Sequence, residues 1–231
     1  MWKSLKSMKL VVSVGLIIVI SIFTLVITKD KTSNKIQANQ DSNDENYITL
    51  TYDNESISFN KNAIYELKEY LENSSDPEIE IGRIKLTDLI KLNNNEYYII
   101  SYGGGIKLSN NLLLKKNEDG SFSSKLLSEA SMYQNFMNSP NKKYIAFLFG
   151  RHEGPEVIRN DLVVVESITL ETVEIDKVIE SFTLPILKYI WLDNETLEII
   201  VPDIKNTDFN TLDQWFKSKQ KRTRKIVGKI H

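Results

Sequence analysis

Two runs decide the fold, YIAFLF at Tyr144–Phe149 and DLVVVES at Asp161–Ser167. Ile145 to Phe149 and Leu162 to Val165 are apolar at odd and even positions alike. A strand alternates its side chains between two faces, so a run without polar alternation has both faces covered. These two segments are therefore expected to be inner, neighbouring strands. Working outward, the same β-branched and aromatic bias recurs in GRIKLTDLIKL, EYYIISY, LLLKK, LKYIWL and LEIIV, each bounded by Asn, Gly, Asp or Ser clusters. The body of the chain reads as mainly β.

Ahead of these runs, YITLTYDNESISF (Tyr47 to Phe59) reads as a short hairpin around Asp53-Asn54. Ile48, Leu50 and Tyr52 share one face, as do Ile57 and Phe59 on the second strand. One helix should follow, over residues 61–73, capped by Asn60. It carries an apolar stripe of Ile64, Leu67 and Leu71 and ends before Pro77.

NSPNKKYIAFLFG followed by DLVVVESITLETVEI (Asn138 to Ile175) resembles one repeat of the TolB-like β-propeller family. Its blades open on S-P-D-G-K-x-I-A-F and continue into a strand that ends at an acidic residue and a turn. Ser139, Pro140, Asn141, Lys142, Lys143, Tyr144, Ile145, Ala146 and Phe147 carry the likeness, with Asn-Lys where the family has Asp-Gly. NNNEYYIISY with NLLLKKNEDGSF before it, and LKYIWLDNETLEIIVPD after it, are weaker echoes. The resemblance implies an incomplete or degenerate β-propeller, a closed one needing at least four blades, and implies binding more than catalysis.

The N-terminal region addresses the location. Leu10 to Ile27, LVVSVGLIIVISIFTLVI, holds no charge, and as a helix it covers about 27 Å, close to the ~30 Å hydrocarbon core of a bilayer. Lys3, Lys6 and Lys9 precede it, so the positive-inside rule predicts a cytoplasmic stub at 1–9, a transmembrane signal-anchor at 10–27 and an extracytoplasmic remainder. A cleaved signal peptide is the alternative, although no A-x-A-like site follows Ile27. Residues 28–46, polar apart from Ile36 and Ala38, read as a flexible tether.

Charge is distributed unevenly along the 231 residues, although the net value is only −2. Residues 37–208 hold 16 basic and 29 acidic side chains, a net of −13, whereas residues 209–231 hold seven basic and one acidic, a net of +6. The chain has no cysteine, which removes disulfides, thiolate metal sites and a cysteine nucleophile.

Three places invite chemistry. Arg151 to Glu156, RHEGPE, with Asp161 behind it, offers His152, Glu153 and Asp161 as candidate hydrolytic residues. Gly154-Pro155, however, interrupts any helix that would place His152 and Glu156 as zinc ligands. YGGGIKL (Tyr102 to Leu108) lacks GxGxxG spacing and a following Lys-Ser/Thr, so it reads as a glycine turn or bulge. The tail, with Lys219, Lys221, Arg222 and Arg224, reads either as a closing helix or strand with a solvated basic face, or as an attachment to anionic lipid or wall polymer. No cofactor or metal is expected. An exported location argues against nucleic acid.

Together these readings describe a bacterial envelope protein anchored through Leu10 to Ile27, with an exported β-rich domain at 47–208 and a basic segment at 209–231. It would act as a non-catalytic binding or accessory module for an envelope protein or anionic polymer. The alternatives are an exported hydrolase using the Arg151–Glu156 loop and a sensor working through a membrane partner.

Overall fold

A computed structural model describes residues 45–231, except Ile106, Lys177 and Val178. The predicted stub, membrane span and nearly all of the tether lie outside the described residues. Among the described residues no helix is long and apolar enough to cross a membrane. Residues 45–231 belong to one compact unit.

The chain opens with the hairpin β1 (Tyr47–Tyr52) and β2 (Glu55–Asn60). Asp53 and Asn54 have φ of 49° and 72°, the left-handed values that a two-residue turn matching strand twist requires. Ile48, Leu50, Ile57 and Phe59 are buried, as the alternation predicts, while Thr49 with Ser58 and Thr51 with Ser56 bond hydroxyl to hydroxyl on the outer face. Asn60 caps only a 3-10 turn at Lys61–Ala63, and the helix α1 proper runs Tyr65–Glu72. The difference from the predicted helix lies at Ile64. Its extended backbone (φ −107°, ψ 105°) drives the side chain into the core and separates turn from helix. A short helix not predicted from the sequence, α2 (Pro77–Ile81), follows. Asp76 accepts a hydrogen bond from Ile79 N (3.1 Å), and Pro77 occupies a first-turn position that needs no N–H.

Six strands then form an antiparallel meander: β3 (Lys85–Leu92), β4 (Asn95–Tyr102), β5 (Ser109–Lys116), β6 (Phe122–Asn138), β7 (Tyr144–Glu153) and β8 (Val157–Glu166). The sheet is curled. β6 is 17 residues long. It pairs with β5 up to Ser131 and with β7 from Met132 onward, bending where Ala130 takes φ 42°. One strand thus serves two sheet halves.

Side-chain parity turns these halves into layers. In β4, Tyr98, Ile100 and Tyr102 face the hairpin and α1, where Leu67 and Leu71 meet them, while Tyr97 and Ile99 face the other way. In β7, Ile145, Phe147 and Phe149 meet Tyr97 and Ile99 in a middle core. Tyr144, Ala146 and Leu148 look outward to a third core, built with β9 (Lys188–Trp191), β10 (Thr196–Pro202), the helix α3 (Phe209–Lys217) and β11 (Thr223–Lys229). Two-sided burial of Ile145–Phe149 is therefore satisfied by a layer on each side, and Ile145, Phe147, Leu148 and Phe149 each contribute about 1.5 to 3 kcal/mol.

The three-stranded sheet β11-β10-β9 is tied to β8 by the ribbon 171–176. Val173 N donates to Val164 O (2.9 Å) and Asp176 N to Lys229 O (2.9 Å), so the ribbon adds first to β8 and then to β11. A Cβ at Gly228 would lie 2.5 Å from Ile175 Cγ2, so only glycine admits this approach. The basic tail is thereby part of the fold: Leu212 is fully buried and β11 is hydrogen-bonded along β10.

Phe147 is fully buried between two sheet halves. Phe147→Ala should cost about 3 to 5 kcal/mol in urea unfolding, and a loss below about 1 kcal/mol would contradict the middle core.

Candidate functional site

The polar loop singled out in the sequence lies across the β7–β8 turn, where Gly154 takes φ 81°. Its side chains do not meet in one pocket. Register pairs Arg151 with Arg159 and Phe149 with Asp161 on one face, and His152 with Ile158 on the other. Arg151 donates to the carbonyls of Ala130 and Glu129 (both 2.9 Å) and stacks on Phe182 at 3.7 Å. Arg159 is bonded to Glu153 and to Thr183 O, and Asp161 accepts from Ser181 Oγ at 2.8 Å. His152 is exposed. Arg151, Arg159 and Asp161 thus fasten the segment 181–184 and the β6 bend. Among the described residues no group of three or more His, Asp or Glu is arranged to hold a metal ion.

The basic residues of the tail lie at the end of α3, on the turn after it and on β11, and all are exposed. Lys217 pairs with Asp213 (2.6 Å) and Lys225 with Glu198 (2.9 Å). Among the described residues, Lys219, Lys221, Arg222 and Arg224 enter no ion pair. Trp215 fixes the turn by donating Nε1–H to Arg222 O (2.7 Å), and Lys221 Nζ lies 5.6 Å from the rings of both Trp215 and Phe216.

A cavity of about 470 Å³ opens where β3 begins and β4 ends, a volume typical of small-molecule sites. Arg83, Lys85 and Lys107 line it together with Thr87, Ser101 and the glycine loop. No carboxylate does. Two other concavities carry them, Asp161 with Glu174 in one and Asp193 with Glu195 in the other. The glycine loop, read in the sequence as a turn or bulge, forms part of the wall. Gly103 takes φ 63° against the Tyr70 ring, and a Cβ on Gly104 would lie 2.4 Å from Leu108 O, whereas one on Gly105 would meet nothing. Arg83 also reaches Glu80 at 2.6 Å.

Behind the cavity a polar ladder crosses four strands. A bulge between Leu86 and Asp88 brings Thr87 Oγ1 to 2.8 Å from Ser101 Oγ, and Ser101 donates to Asn111 Oδ1 (3.1 Å). Asn111 Nδ2 donates to Ser109 O, Ser131 O and Ser131 Oγ, and Ser131 donates to Ser128 (2.8 Å). Asn111 and Ser131 are fully buried, so every rung must be made. Sequence reading found the glycines but not Arg83 and Lys85. Arg83 belongs to the turn before β3 and Lys85 is the first residue of that strand, and the pairing of β3 with β4 sets them opposite the end of β4.

The cavity floor also contains Tyr102. Burial first, then the charges of Glu66 and Glu129, push its hydroxyl up to about 12. Tyr133 is held above the ordinary tyrosine value by burial and by its hydrogen bond to Asp88 (2.6 Å). Because the folded state keeps the Tyr102 proton that the unfolded chain releases, its contribution is complete below pH 10 and is lost as pH rises toward 12. Chemical denaturation at pH 12 should show a loss of about 2 kcal/mol from this group, absent in Tyr102→Phe. An equal alkaline loss in both proteins would contradict it.

Comparison with protein-family models, with curated proteins and with solved structures finds no match for the chain.

Proposed function

We propose that the chain is a membrane-anchored, extracytoplasmic binding or accessory module of a bacterial cell envelope, non-catalytic, that meets anionic lipid or wall polymer through Lys219, Lys221, Arg222 and Arg224. The observation that carries this reading is the group of four exposed cations, unpaired among the described residues, on one turn and strand of an otherwise acidic body. Each basic residue near an anionic surface contributes about 1 kcal/mol, and Trp215 holds the turn in place from beneath. The −13 of residues 37–208 would be repelled by the same surface, so the two fields orient the domain with its C-terminal turn toward the charge.

The TolB-like likeness belongs to the same proposal. Its support is the turn at Ser139, where Tyr144 N bonds to Ser139 Oγ (3.0 Å) and Lys142 takes the left-handed φ of 61° at the position of the family's glycine. The layered strands then correspond to blades of an incomplete propeller, a platform for binding. The hydrolase alternative gains no observation in its favour, since Arg151, Glu153 and Asp161 are each engaged with a different partner and His152 is exposed.

Protease shaving of intact cells should digest the body after Lys31 and leave Met1 to Ile27 with the membrane. A fully protected body, or a membrane-associated chain whose N-terminus follows Ile27, would defeat the anchored topology. The anchor-free body should co-sediment weakly with anionic vesicles, less so as salt rises, and replacing all four cations by Gln should abolish binding. Absence of binding at low salt, or equal binding by the variant, would remove the tail from the reading.

A further inference from the structure

We propose that the cavity between β3, β4 and the glycine loop is a binding site for the phosphate ester of a small polyol. It is a second site, separate from the basic tail, and does not rest on the tail's role. Two features define the ligand.

The first is charge. Arg83, Lys85 and Lys107 line about 470 Å³ without a carboxylate, inside a region of the chain whose net charge is −13. Lys85 and Lys107 form no ion pair among the described residues, and Arg83 keeps a partial tie to Glu80 that leaves its remaining N–H donors available. A phosphate ester, with up to two negative charges and several acceptor oxygens, complements three such donors better than a single carboxylate does.

The second is the direction of the hydroxyl protons. Asn111 points its Nδ2 donors at Ser109 and Ser131, so its Oδ1 faces Ser101 and Ser101 must donate to it. Thr87 must then donate to Ser101. Both protons point into the sheet. At the cavity, Thr87 and Ser101 therefore offer lone pairs, which repel a bare anion but accept from a ligand hydroxyl. Buried Asn111 and Ser131 keep this order from reversing, because a reversal would leave an amide or hydroxyl unsatisfied in the core. A cationic wall beside an acceptor wall fits an anion that carries hydroxyl donors next to its phosphate. Inorganic phosphate satisfies only one wall, and a neutral polyol only the other.

Calorimetric titration of the full chain in detergent micelles with glycerol 3-phosphate, inorganic phosphate and glycerol tests this. Glycerol phosphate should bind about fivefold or more tighter than phosphate, the worth of one to two added hydrogen bonds, and glycerol should give no saturable heat. Lys85→Gln with Lys107→Gln should weaken both phosphates about tenfold or more while leaving the thermal midpoint within a few degrees. Thr87→Val should keep phosphate binding and erase the preference for the ester. Replacing the four tail cations by Gln should change none of these values. A glycerol phosphate oligomer that binds tighter than the monomer assigns a polymer as the source, and equal binding assigns the free ester. Absence of saturable binding by either form, equal affinity for ester and phosphate, unchanged binding in the double lysine variant, or a preference that survives Thr87→Val would overturn the proposal.

Discussion

The bend of β6 at Ala130 is the constraint on which the layers depend. A straight strand of 17 residues would pair along its whole length with one neighbour on each side and produce one flat sheet. With the bend, its first half completes β3-β4-β5 and its second half opens β7-β8, so two sheet halves turn their apolar faces toward each other. Phe147 and Tyr97 can then meet in one core. Arg151 grips the bend through the carbonyls of Glu129 and Ala130, using two of its fixed guanidinium donors at once.

Two buried asparagines complement this bend. Asn111 joins β4, β5 and β6 on one side, and Asn160 joins β8 to the segment 182–186 on the other. The Asn160 backbone bonds Leu184 and Phe182, and its side chain bonds Ile186 N, Phe149 O and Gln134. Apolar layers slide against one another at little cost, since leucine contacts valine as readily as it contacts isoleucine. An amide with four directional groups in a dry interior admits one arrangement, so these two residues select the register that the apolar faces leave open.

Much of this architecture was legible in the residues. Ile145–Phe149 and Leu162–Val165 announced two-sided burial, and Asp53-Asn54 announced its hairpin. Phe122–Asn138 did not read as a strand. Its serines, Glu129, Gln134 and Asn135 face either solvent or the polar ladder, so no apolar alternation marks it. The Ile64 break was equally silent, because a β-branched residue on an amphipathic stripe looks the same whether helical or extended. The charged loop at Arg151 looked chemical because its residues cluster in sequence, but strand alternation turns His152 away from Arg151 and Asp161, and these two bond to different partners. The cavity was hidden for the opposite reason: Arg83 and the glycines are separated along the chain and joined only across a ladder.

The ribbon at 171–176 has a consequence for how molecules of this chain behave beside one another. An uncovered edge strand invites pairing with a second molecule, the first step toward aggregation. The ribbon covers the last residues of β8 and the C-terminal end of β11. The sheet β11-β10-β9 then ends at β9, only four residues long, beginning with Lys188 and held inward by the hydrogen bond from Trp191 Nε1 to Met137 O. So short and charged a border gives another chain little to pair with. At the ends of β8 and β11 and along β9, the layout of the backbone, and not charge alone, limits pairing between neighbouring copies.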